Sequence, residues 1–169
     1  MHYMMEERYS GVPDGWPDWA KFPSTIDFDI VLPSGTRNCQ ASWPNGTLPE
    51  GEFECTRAGD GKKAVQAEEK RGNGPIQEGQ TLFSMTRWFG LGERRPEMSY
   101  VLGVREGRQG NVTYSGAQCV TANTNSEPTS YMTCMLGRPL DGERCHIRSY
   151  MSVDRDLVIE AFEMPGIGL

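Results

Sequence analysis

The stretch Ile26-Asp27-Phe28-Asp29-Ile30-Val31-Leu32, closed by Pro33-Ser34-Gly35, decides the fold. Ile26, Phe28, Ile30 and Leu32 occupy alternate positions with Asp27 and Asp29 between them. That period of two lets an extended chain bury one face and wet the other. The Pro-Ser-Gly triplet then turns the chain back. Working outward, further strands are predicted at 37–43, 48–56, 81–89, 97–105, 110–120, 130–136, 144–153 and 156–164. Turn residues such as Gly90-Leu91-Gly92 and Gly107-Arg108-Gln109-Gly110 lie between several of them. Many short strands, no long amphipathic helix and no βαβ alternation predict an all-β chain: an antiparallel β-sandwich or β-barrel of about eight or nine strands.

The 169 residues fit one domain. Residues 1–22 read as an irregular N-terminal arm, because Gly11, Pro13, Gly15 and Pro17 break both helix and central strand. Residues 23–164 form the single β domain, and 165–169 a tail. Within the domain, 57–80 is poor in large apolar residues and rich in glycine and charge. It reads as a flexible insertion, with a short helix near 63–70 its one regular element.

Lys and Arg number 17 against 23 Asp and Glu, a net charge of −6. No segment gathers the basic residues that phosphate backbones require, so nucleic acid is not an expected partner. No apolar run is long enough to cross a bilayer as a helix, and acidic charge repels anionic lipid, so no membrane partner is expected either. The opening Met1-His2-Tyr3-Met4-Met5-Glu6-Glu7 lacks the basic and apolar regions of a signal peptide. An extracellular reading therefore requires that a leader has been removed.

That reading comes from the five cysteines. Cys39 with Cys55, and Cys119 with Cys134, make two local pairs, each bracketing a turn-rich segment, with Cys145 left over. Spacing alone does not choose among the possible pairings. The sequons Asn45-Gly46-Thr47 and Asn111-Val112-Thr113 offer Asn45 and Asn111 as glycosylation sites.

The inventory for catalysis is thin. His2 and His146 are the only histidines, and His2 lies in a start expected to be disordered. Cys145 and His146 are adjacent on a predicted strand, so their side chains point to opposite faces and cannot readily pair as nucleophile and base. No CxxC, HxH or HExxH spacing offers a metal site, and no cofactor is expected. Asp27 with Asp29, and Glu50 with Glu52 and Glu54, could supply paired acids for glycoside hydrolysis, but same-face acids on a strand are more often its solvated side. Trp16 and Trp19 are candidate stacking contacts for a sugar or planar ligand, whereas Trp43 and Trp88 sit in strand patterns and are assigned to the core.

Ile26-Asp27-Phe28-Asp29-Ile30, Cys39, Phe53-Glu54-Cys55, Phe83-Ser84-Met85-Thr86-Arg87-Trp88 and Tyr100-Val101-Leu102-Gly103-Val104 together resemble the small secreted fungal proteins related to the major Alternaria allergen. The likeness spans roughly residues 23–164. It departs in the insertion, in the odd cysteine near the C-terminal end, and in the tryptophan-rich arm. It implies bridges Cys39–Cys55 and Cys119–Cys134, with Cys145 free or joining two chains in a homodimer. It further implies a secreted, non-enzymatic binding protein, effector- or allergen-like, acting through surface loops on a host or cell-wall protein or glycan. A carbohydrate-binding module or weak glycoside hydrolase is the first alternative. A carrier of a small planar ligand is the second.

Overall fold

The computed structural model describes residues 1–5, 10–57, 76–90, 96–110, 112–123, 126–137 and 140–165. It contains ten strands: β1 (His2–Tyr3), β2 (Ser24–Leu32), β3 (Gly35–Trp43), β4 (Phe53–Arg57), β5 (Thr81–Arg87), β6 (Tyr100–Arg108), β7 (Val112–Val120), β8 (Met132–Leu136), β9 (Glu143–Ile147) and β10 (Ala161–Pro165). They form one antiparallel sheet in the order β10-β7-β6-β5-β4-β3-β2-β1-β9-β8, curled into a half-barrel. The all-β antiparallel expectation therefore holds.

The period of two governs which side chains enter the core. On β6, Tyr100, Leu102, Val104 and Glu106 are buried while Val101, Gly103 and Arg105 are half-exposed. On β5, Phe83 and Met85 face the same way. Phe83 packs against two rings, edge-on to Phe28 at 5.1 Å and tilted against Phe53 at 5.2 Å between centroids. Such ring pairs add to the burial of apolar area that drives the sheet to curl around its inner face.

Two features differ from the sequence reading. The segment expected as an irregular arm supplies β1, which lies inside the sheet between β2 and β9. Tyr3 and Met4 are almost wholly buried, and His2 is not disordered: it stacks on Phe22 at 4.1 Å, with Nε2 2.7 Å from the Asp141 carbonyl. A two-residue strand carries no period, and its place is set by partners far away in sequence.

The second difference is the bridging. Cys39–Cys55 forms as expected, between facing residues of β3 and β4. The other bridge is Cys134–Cys145, not Cys119–Cys134, and Cys145 is therefore neither free nor intermolecular. Cys134 and Cys145 face each other across the β8–β9 hairpin with Cα atoms 4.0 Å apart, so the ladder itself brings the sulfurs together. Cys119 is the free thiol. It sits opposite Val101 on β7, and its neighbour Val120 takes the core side, which turns Cys119 to the outer face and away from the buried Cys134.

Part of the expected insertion, 58–75, lies outside the described residues, as do the proposed helix at 63–70 and Asn111. Its end is packed in place: Ile76 is buried, Gly79 N–H donates to Gly107 O at 2.9 Å, and Gly107 N–H donates to Gln80 O at 3.0 Å. A Cβ on Gly107 would lie 2.1 Å from Gln77 O, so backbone meets backbone there. Gly107→Ala is expected to destabilise the fold by about 1–3 kcal/mol through overpacking. Urea denaturation would read this as a lower midpoint, and an unchanged midpoint would show that the 76–80 turn is not held against β6.

Candidate functional site: the half-barrel groove

The curl leaves a groove of about 1580 Å³ along the inner face of the sheet. Its register can be followed residue by residue. Tyr100 pairs with Val120 at one end of the β6–β7 ladder, and Arg108 pairs with Val112 at the other. The six steps from Tyr100 to Glu106 span about 20 Å of extended chain, which sets the groove's depth.

The first end is drawn together. After β7 the chain runs alongside β8, with a parallel bridge between Ala122 and Met132. Asn123 completes the join: its Nδ2 donates to Cys134 O at 2.6 Å and its Oδ1 accepts from Cys134 N–H at 2.9 Å. At this end the groove is lined by the buried Met85, Tyr100, Val120 and Met132. The groove therefore has an apolar bottom.

Its walls come from the inward positions of the strands. Ile26, Phe28 and Ile30 stand on β2, facing Leu102 and Val104 on β6. A strap at 153–160 crosses above them between β9 and β10. Val153 N–H donates to Ser130 O at 2.8 Å, Arg155 donates to Pro128 O, and the Arg155 guanidinium lies 5.3 Å from the Tyr131 ring centroid. Leu157 and Ile159 on the strap turn toward the core. The strap fits because residue 116 is glycine: a Cβ there would meet Glu160 O at 2.3 Å.

The second end is polar. Thr81, Glu106, Tyr114 and Glu163 form one row across β5, β6, β7 and β10, each directly facing the next. Glu106 is 4% exposed and accepts hydrogen bonds from Ser34 Oγ and from Arg108 Nε at 3.0 Å. Its charge is thereby compensated, as a buried carboxylate requires. Tyr114 OH donates to Glu163 Oε2 at 3.3 Å, and the Arg108 guanidinium lies 5.9 Å from the Tyr114 ring centroid. Thr81 Oγ1 is buried and has no hydrogen-bond partner among the described residues.

Of the residues singled out from sequence, Asp27, Asp29, Cys145 and His146 lie along the groove, whereas Trp16, Trp19, Asn45 and the acids at 50, 52 and 54 do not. Trp16 is buried, and Trp19, 80% exposed, presents its ring to solvent. Asp27 and Asp29 share a strand face, as read, and both accept from Asn38 Nδ2, at 2.9 and 2.8 Å. Glu52 is committed to Arg105 at 2.9 Å. Cys145 is consumed by its disulfide and His146 is exposed. Asn45 lies in the β3–β4 connection, half-buried in a turn held by Thr47 Oγ1 donating to Pro44 O at 2.8 Å. No group of three or more His, Cys, Asp or Glu among the described residues could hold a metal ion. No helix among them is long and apolar enough to cross a membrane.

The groove is not marked by any one segment of the sequence, although a small-ligand carrier is among the readings the sequence offers. One signal pointed to it: continuing the inward set Tyr100, Leu102 and Val104 by two residues reaches Glu106, a carboxylate on an apolar face. Searches of family models, curated proteins and solved structures find no match to this chain, so the allergen-like resemblance rests on the residues that carry it.

Proposed function

We propose that this chain is a non-enzymatic, extracellular binding protein that carries a small apolar molecule in its half-barrel groove. The observation that supports this is the groove: an apolar bottom, apolar walls and a polar rim, in the place where barrels hold ligands. The geometry thus favours the carrier alternative over loop-mediated partner binding. Two cross-strand disulfides suit an oxidising compartment, which supports the secreted assignment. A fungal source and an effector-like role follow from the resemblance alone.

Titration with the neutral fluorescent probe N-phenyl-1-naphthylamine tests the reading. Saturable binding is expected, weakened at least tenfold by Ile30→Trp, which fills the groove from a half-buried position able to take bulk. Binding that ignores this substitution in a folded variant would remove the groove from the function.

A second reading, a macromolecular partner, is favoured by β10. Among the described strands this edge strand pairs with β7 alone, and it exposes Phe162 and Met164. Free strand edges of this kind accept an added strand. Phe162→Ser would weaken such a partner and leave probe binding unchanged.

A further inference from the structure

We propose that the groove selects amphiphiles with a cationic head, an aliphatic amine being the simplest, and discriminates against carboxylates. The inference rests on the carrier reading and adds to it the chemistry of the ligand's polar end.

The argument starts from the direction of the groove. Its bottom is apolar and seamed by the Ala122–Met132 bridge, so an amphiphile enters with its chain toward Tyr100 and Val120. Its head is left at the rim, where Glu106, Arg108, Tyr114 and Glu163 meet. Leaving the head at the apolar bottom would strip it of water with little to replace that water.

Charge at the rim then decides the head. Arg108 is the only cation there among the described lining residues, and Glu106 already engages it through both Nε and Nη2, the latter at 2.8 Å. A ligand carboxylate would have to compete with a buried, preorganised carboxylate for that guanidinium. Glu78 and Glu163 also line the rim, and neither has a cationic partner among the described residues. Glu163 is held toward the groove's row by Tyr114 OH, which donates to it and leaves its charge in place. The rim thus carries three carboxylates against one committed arginine. Elsewhere along the groove Arg148 is likewise paired, with Asp156, and the Met1 ammonium donates to Cys145 O at 2.9 Å. An ammonium head meets attraction at this rim, an alcohol meets neither gain nor penalty in charge, and a carboxylate meets repulsion.

Calorimetric titration of the intact protein with decylamine, 1-decanol and decanoate, below their micelle concentrations, separates the cases. The expected result at low salt is decylamine binding at least tenfold more tightly than decanoate, with decanol between them. The gap should narrow at high salt, since part of the rim is exposed to solvent. In Glu78→Gln/Glu163→Gln the amine preference should fall toward that of decanol while decanol affinity stays the same, which also reports that the groove is intact. Decanol binding with no amine preference, a preference for decanoate, or an amine preference that survives the double substitution would overturn the head-group assignment and leave the carrier reading standing. Failure of all three ligands to bind would overturn the carrier reading itself.

Discussion

Loss of both disulfides is expected to lower the stability of this chain by about 6 kcal/mol, since each bridge contributes about 3 kcal/mol on chain-entropy reasoning. The closed segments are 16 residues for Cys39–Cys55 and 11 for Cys134–Cys145. Their logarithmic dependence on loop length makes them nearly equal in effect. The total is comparable to the whole stability of an ordinary domain, so the reduced protein should be marginal or unfolded at 37 °C. The two bridges are separable by position. Cys39–Cys55 ties strands in the middle of the sheet, where β2 and β5 also hold β3 and β4. Cys134–Cys145 ties β8, the last strand, to β9, and β8 also carries the seam that closes the bottom of the groove. Cys39→Ser/Cys55→Ser should therefore lower the melting temperature by about 6–12 °C, at about 2–4 °C per kcal/mol for this size, with ligand binding retained in the folded fraction. Cys134→Ser/Cys145→Ser should cost a similar amount and in addition weaken probe binding. Thermal unfolding with and without reductant is the direct measurement, and a shift below about 5 °C on full reduction would show that the bridges do not hold the fold.

The strands were legible because each long one carries its own period. Ile26 to Leu32 predicts β2, and Tyr100, Leu102 and Val104 predict the inner face of β6, from neighbours alone. Pairing information is less local. Cys134 and Cys145 lie symmetrically about the 137–142 connection, so a hairpin there puts them in register. The competing Cys119–Cys134 arrangement looked equivalent because it too brackets a turn. What excludes it is that the chain after β7 meets β8 in parallel, through Ala122 and Met132, a relation with no local signature. β1 escaped for the same reason, its two residues being strand only because β2 and β9 flank them. The groove is the product of strand order: alternation says which residues point inward, but only the curl says that β2 faces β6. Trp16 and Trp19 show that chemical type says nothing of burial, since the first is buried and the second exposed.

Phe83→Ala is expected to cost about 3–5 kcal/mol, the range for removing a fully buried phenylalanine. Phe83 is 1% exposed and touches rings on two different strands, Phe28 on β2 and Phe53 on β4. Those strands are not ladder neighbours, because β3 lies between them, so Phe83 couples parts of the sheet that hydrogen bonds do not join directly. Phe28 is also part of the groove wall. Truncation at 83 should therefore have two consequences with one origin: a melting temperature lowered by about 6–20 °C, and a wall residue released to tilt into the vacated space. Phe83→Leu keeps most of the volume and should lose less stability while still removing the edge-on ring contact. If the Leu variant recovers stability but not probe affinity, the position of the Phe28 ring sets the shape of the groove. If both recover together, the ring cluster serves only to hold the sheet. In either case a loss below about 1 kcal/mol for the Ala variant would contradict the packing described here, because no collapse around a side chain buried on three strands could compensate so fully.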